Sequence, residues 1–246
     1  MGMFCFAPRW LKDALKAVCR GVIVDLGCGH GRSTELISRG CPSSLVIGID
    51  LDCPRVSDAR KRLEESASIG LVCGDASELP FRSSSIGSAV ALLALHEVDS
   101  DRVELLLREV RRVLREKGLF LVVDKVLTEF RSPAEELTVL TEVAYHKARE
   151  LAYGEKAWGV RRPRELVESV EKAGFKTLKQ EVYAGRHIPP EEFLRSWGRD
   201  TLGILNTLPP GRVRKELEQL VERIKATAAR HGYGPARILV ALFAKR

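Results

Sequence analysis

Val22-Ile23-Val24-Asp25-Leu26 runs directly into Gly27-Cys28-Gly29-His30-Gly31, and an amphipathic stretch begins near Ser33. That order reads as a buried strand, a glycine turn and a helix. Glycines in such a turn let the backbone press against a bound molecule, because no Cβ stands in the way and positive φ carries no steric cost. Glycine turns also close ordinary strands, so this one takes its meaning from the segments downstream of it.

A second apolar run, Leu45-Val46-Ile47-Gly48-Ile49, ends in Asp50. A third, Ile69 to Cys73, ends in Gly74-Asp75-Ala76. A fourth, Ser88 to Leu95, ends in His96-Glu97. Strands alternating with helical stretches predict an α/β, doubly wound, mostly parallel sheet, in which ligands bind at the edge formed by the carboxyl ends of the strands. An acid at the tip of the second strand suits ribose hydroxyls. A dinucleotide fold wants G-x-G-x-x-G, yet the glycines here stand at 27, 29 and 31, with Arg32 in the third-glycine position. Asp25 would also be a poor neighbour for a pyrophosphate. The pattern favours a cationic ligand without phosphate.

These segments, namely Asp25 to Gly31, Gly48-Ile49-Asp50, Gly74-Asp75-Ala76-Ser77-Glu78-Leu79-Pro80-Phe81, and Arg112-Val113-Leu114 ahead of Lys117-Gly118, resemble the successive motifs of class I S-adenosylmethionine-dependent methyltransferases. The likeness spans about residues 20–125 and is greatest to the small-molecule branch that includes the ubiquinone and menaquinone biosynthesis enzymes. It implies a seven-stranded Rossmann-like methyltransferase fold with S-adenosylmethionine as cofactor. It implies that Gly27 and Gly29 approach the methionine part of the cofactor, with Asp25 near its amino group. Asp50 would hold the ribose diol and Asp75 the adenine amino group, with Ala76 giving a backbone donor. Cys28, Leu51, Gly74 and Leu92 complete the expected cofactor-binding set. Each carboxylate has a plainer alternative as a solvated loop residue or helix cap. One departure stands out: the family carries an acid at the start of the fourth strand, where this chain has Ile86-Gly87-Ser88.

Methyl transfer requires acceptor and methyl held in line at about 3 Å with water excluded, and a base only where the acceptor is protonated. By resemblance, His96 is the first candidate to orient or deprotonate an acceptor and Glu97 the second; a rim histidine without a chemical task is the alternative. Tyr145, His146, Trp158, Tyr183, Arg186 and His187 are outer candidates.

The 246 residues suffice for one α/β core with an accessory cap. Periodicity predicts an amino-terminal helix within 1–20, a cofactor-binding core over 21–125, a helical lid over 126–162, and completion of the sheet over 163–246, with a helical insertion at about 185–234. The fifth strand is expected over Leu119 to Val123, the sixth over Lys176 to Tyr183 and the last over Ala236 to Phe243. The net charge of +7 raises an RNA partner. The basic residues, however, alternate with acidic ones as on solvated helix faces. No apolar run reaches the roughly 18–20 residues of a membrane span, and a cytoplasmic protein is expected. The six cysteines form no C-x-x-C pair, so no metal site is expected and the thiols of a cytosolic chain should stay reduced. A single asparagine and 30% charged residues hint at heat adaptation. The expected function is methylation of a small molecule; an RNA or protein methyltransferase and a non-catalytic cofactor-binding regulator are the alternatives. The acceptor and the oligomeric state are not legible.

Overall fold

In the computed structural model, which describes residues 8–246, β1 (Val22–Leu26) is buried over nearly its whole length, as a strand covered on both faces must be. It pairs in parallel with β2 (Leu45–Asp50) on one side and β4 (Ile86–Leu92) on the other. β3 (Ile69–Cys73) adds outside β2, and β5 (Leu114–Lys125) outside β4, both in parallel. β7 (Arg237–Lys245) runs antiparallel to β5, and β6 (Phe175–Ala184) antiparallel to β7. The seven-stranded sheet has the order β3-β2-β1-β4-β5-β7-β6. It is doubly wound and mostly parallel, with an antiparallel pair at one edge, as the strand and helix alternation predicts.

Two apolar layers cover the sheet. On one face Val24, Ile49 and Phe120 pack with Leu106 and Val110 of α4 (Val103–Val113) and Leu166 and Val170 of α6 (Pro163–Lys172). On the other, Ile23, Val46 and Leu121 meet Leu11 and Leu15 of α1 (Arg9–Ala17) and Ile37 of α2 (Arg32–Gly40). Between β2 and β3, α3 (Cys53–Leu63) starts where Asp52 accepts a hydrogen bond from the Arg55 N–H at 3.0 Å, a side-chain N-cap. A third apolar cluster lies apart from both layers. It joins Leu137 and Ala144 of α5 (Pro133–Tyr153) to Phe193 of α7 (Pro190–Ser196), Leu205 of α8 (Arg199–Thr207), and Leu217 and Ile224 of α9 (Arg212–His231). Helices α7, α8 and α9 all fall between β6 and β7.

The fourth strand ends earlier than the apolar run suggests. Leu93 adopts φ 54° and breaks the ladder, so Leu95–Glu97 forms a single 3-10 turn instead of strand. The first helix begins at Arg9; residues 1–7 of the stretch in which it is expected lie outside the described residues.

The cysteines require a correction. Cys19 is bonded to Cys41 and Cys53 to Cys73, each pair with Cα atoms 5.1 Å apart. The cause is spatial. Cys73 lies opposite Asp50 in the β2–β3 register, which brings it beside Cys53 at the start of α3. Closing loops of 22 and 20 residues removes freedom from the unfolded chain worth about 3 kcal/mol per bridge. A reductant is therefore expected to lower the melting temperature by roughly 6–12 °C per bridge broken, measured by calorimetry with and without dithiothreitol. An unchanged transition would remove the bridges from any account of stability. Among the described residues no helix is long and apolar enough to cross a membrane.

Candidate active site

The carboxyl ends of β1 to β5 meet at one edge, and the glycine loop lies there because its backbone demands it. Gly27, Gly29 and Gly31 all have positive φ, at 72°, 49° and 76°. A Cβ on Gly27 would stand 2.8 Å from Ala94 Cβ. Gly48 is bare for a similar reason: its Cβ would come within 2.7 Å of Thr34 Oγ1 and 2.8 Å of Cys28 Cβ. Cys28 packs beneath the loop, and burial first, then the charges of Asp25 and Asp50, push its thiol up to about 12. It stays protonated and unreactive.

Asp25 is wholly buried. Its Oδ2 accepts hydrogen bonds from Ser33 and Thr34 of α2, both at 2.7 Å, while Oδ1 has no partner. Burial raises its carboxyl to about 6, against the pull of the two hydroxyls and with a further push from Asp50. Asp50 ties the loop to the second strand: its Oδ2 accepts from the Gly29 N–H at 2.7 Å and its Oδ1 from the Asp52 N–H at 2.9 Å. Leu51 beside it is 71% exposed, an apolar side chain left open at the rim. Gly74 and Ala76 are half-buried on either side of Asp75. Asp75 accepts from the Ser77 N–H and hydroxyl, both at 2.7 Å, and pairs with Arg102 from the turn before α4.

These residues fit S-adenosylmethionine. An unpartnered buried carboxylate oxygen suits the electrostatics of a nearby ammonium, bare backbone lies over it, and Asp50 and Asp75 follow on successive strands. The family's missing acid at the start of the fourth strand has a packing cause, since a Cβ on Gly87 would fall 1.8 Å from the Arg20 carbonyl oxygen.

Beyond the rim opens a cavity of about 790 Å³ between the strand ends and the α5, α7 and α8 helices. Leu92, Leu93, Tyr145, Phe193 and Trp197 give it an apolar wall; Glu97, Lys125, Glu142, Arg186 and Arg199 give it charge. Glu97 thus faces the cavity, and His96 stands behind it. The His96 ring is buried, with Nδ1 2.5 Å from Asp124 Oδ1, while Asp124 Oδ2 accepts from the His96 N–H at 3.1 Å. Burial would push the imidazole pKa down, but the Asp124 charge and hydrogen bond outweigh it and hold it up. Glu97 is likewise disfavoured by burial, yet the neighbouring His96 and His146 hold it down, to about 2. Lys125 ion-pairs with Glu142 of α5.

Sequence reading missed Asp124, Lys125 and Glu142. Asp124 and Lys125 end an apolar strand as Asp50 does, a signal that was present; Glu142 carries none, being one of several acids on α5. Of the outer candidates, Tyr145 and Arg186 line the cavity, and His146 faces Glu97 at 3.8 Å. Trp158 packs on the sheet core, Tyr183 stacks on Trp10, and His187 Nε2 is 2.9 Å from the His231 carbonyl.

Residues 24–122 match a family model described as a methyltransferase domain. The chain is 31% identical over 102 residues to a fatty-acid O-methyltransferase of Mycolicibacterium smegmatis, covering 42% of this chain and 36% of that protein. It is also 31% identical over 100 residues to a malonyl-[acyl-carrier protein] O-methyltransferase of Xylella fastidiosa, covering 41% and 33%. The chain therefore spans about a third of the length of these relatives. Among solved structures, an S-adenosylmethionine-dependent methyltransferase from Mesorhizobium loti superposes with a TM-score of 0.56 at 21% identity, over 95% of this chain and 96% of that one. The cyclase SpnF superposes with a TM-score of 0.63 at 20% identity, over 96% and 80%.

Proposed function

From the premise that the chain belongs to the class I S-adenosylmethionine-dependent methyltransferases through residues 24–122, we propose that it methylates a small molecule seated in the cavity under α5, α7 and α8. The observation that carries this reading is the run of Asp25, Asp50 and Asp75 along the strand ends, with glycine backbone over the first and the cavity alongside. When bound, the cofactor supplies an electrophilic methyl group on a sulfonium. The protein's own contribution is to hold, align and dry. Gly27 and Gly29 give backbone to the methionine part, and Asp25 balances its amino charge from below. Asp50 and the exposed Leu51 receive the ribose side, Gly74, Asp75 and Ala76 the adenine, and Leu92 separates cofactor from cavity. For Asp75 to receive the adenine amino group, Arg102 has to give way; it is 53% exposed and can leave toward solvent.

On the acceptor side Glu97 faces the bound molecule, and His96, fixed by Asp124, is a positioning residue acting through it. The apolar wall favours an acceptor with an apolar body, in keeping with the fatty-acid and acyl-carrier substrates named for the two relatives. The i,i+4 pairs Arg164–Glu168, Arg212–Glu216 and Arg214–Glu218 support reading these basic residues as solvated helix faces, which favours a small-molecule acceptor over RNA.

His96→Ala is expected to cut kcat at least tenfold, because a small misplacement of the acceptor-side groups costs that much, while S-adenosylhomocysteine affinity stays the same. Loss of both together would mean a collapsed site and no acceptor-side role. The reading as a whole is tested with radiolabelled methyl donor in a cell extract, separated into small-molecule, RNA and protein fractions. Label in the first supports it. Label confined to RNA or protein, or none at all despite cofactor binding, overturns it.

A further inference from the structure

The wall between cavity and sheet carries more ligating groups than seating an acceptor requires. One atom each from His96, Glu97 and Glu142 lie within 4.8 Å of one another. The His96 side chain is 5% exposed, and its Nε2 stands 3.6 Å from Glu97 Oε1 and 3.8 Å from Glu142 Oε2, beyond hydrogen-bond reach. His146 Nε2 approaches from α5, 3.8 Å from Glu97 Oε2 and 4.0 Å from Glu142 Oε2, and is buried without a hydrogen-bond partner. Two imidazole nitrogens thus point at two carboxylates without bonding to either. Gaps too long for hydrogen bonds are close to the spacing, about 3–4 Å, of donor atoms that share one ion at about 2.0–2.2 Å.

We propose that His96, Glu97 and Glu142, with His146 as a fourth donor, bind a divalent transition-metal cation such as Zn²⁺. Three features of the surroundings agree. The carboxylates of Glu97, Glu142 and Asp124, set against the single ammonium of Lys125, leave two negative charges for a dication to neutralise. Lys125 engages Glu142 Oε1, which leaves Oε2 turned to the histidines. Asp124 grips His96 Nδ1, the carboxylate–histidine support that metal-bound imidazoles commonly have. Because Glu97 and Glu142 also line the cavity, an open coordination position would face the acceptor. There the cation would polarise an acceptor oxygen as a Lewis acid, which explains how His96 acts on a molecule it does not touch. That last step rests on the methyltransferase reading; the cation site itself does not.

The test uses the untagged full chain with its disulfides intact, stripped with EDTA and titrated with Zn²⁺ by calorimetry and with Co²⁺ by visible absorption. One saturable equivalent is expected, with cobalt bands lacking sulfur charge transfer, and with affinity at least tenfold weaker in Glu97→Gln and in His146→Asn. Circular dichroism and S-adenosylhomocysteine binding confirm that both variants are folded. Absence of saturable uptake by the wild-type chain, or uptake unchanged in both variants, overturns the site. A chain that takes up the metal but not S-adenosylhomocysteine would sink the methyltransferase reading alone; the reverse result would sink the metal alone.

Discussion

Asparagine at position 25 is expected to give a chain that melts later at neutral pH and holds S-adenosylhomocysteine less tightly. The Asp25 carboxyl is raised from 3.8 to about 6 by burial, a shift on the order of 3 kcal/mol against the ionised form. The sign is set by proton binding. Between about pH 4 and 6 the folded chain binds a proton that the unfolded chain has released, so this group adds stability as pH falls through that window and costs stability above it. An asparagine oxygen keeps the Ser33 and Thr34 hydrogen bonds, but its amide N–H group stays unpartnered. The net gain should be about 1–2 kcal/mol, or roughly 2–8 °C, at about pH 7.5, and should vanish near pH 5. Cofactor affinity should drop about tenfold, a step of 1.4 kcal/mol, because the charge below the glycine loop is gone. Melting curves at both pH values and calorimetry with S-adenosylhomocysteine decide the matter. An advantage that persisted near pH 5 would show that ionisation is not its source.

Alanine at position 87 should destabilise more than any other single substitution considered. The Cβ it adds would fall 1.8 Å from the Arg20 carbonyl oxygen, with Val22 O at 3.4 Å. Neither can yield as a flexible side chain would, because both are backbone feeding β1 at the centre of the sheet. A loss of at least about 3 kcal/mol is expected, with the melting temperature down by roughly 6 °C or more. Gly203→Ala is the control. That glycine lies in α8 with nothing within 4 Å of a new Cβ, so alanine there should stabilise by about 0.5–1 kcal/mol. Two glycine-to-alanine changes of opposite sign would tie the effect to local space. Equal effects would refute that.

Position 87 also shows where sequence reading stops. The sequence shows only that the acid is missing there, whereas the structure gives a steric reason that no pattern could reveal. The glycine loop, Asp50 and Asp75 were legible because each follows an apolar strand whose length fixes where its tip lies. The acceptor side was legible only as far as His96 and Glu97, which are consecutive in the chain. Glu142 reaches them from a helix 45 residues further on, and only tertiary packing of α5 over the strand ends brings it there. The pairing of Asp75 with Arg102 and the two disulfides were hidden for the same reason. Leu93, a leucine at positive φ, ends the fourth strand without any of the residues that usually announce a turn.

The helices that roof the cavity have an apolar core of their own, drawn from α5, α7, α8 and α9 and separate from the two layers that clad the sheet. Two folding units with separate interiors can diverge at different rates. The proposed nucleoside side is held to its shape by strands and glycines, while the roof can be resculpted without disturbing them. Descendants of this chain could thus exchange one acceptor for another by altering the roof and leaving the rest alone, much as a lathe keeps its headstock when the chuck is changed.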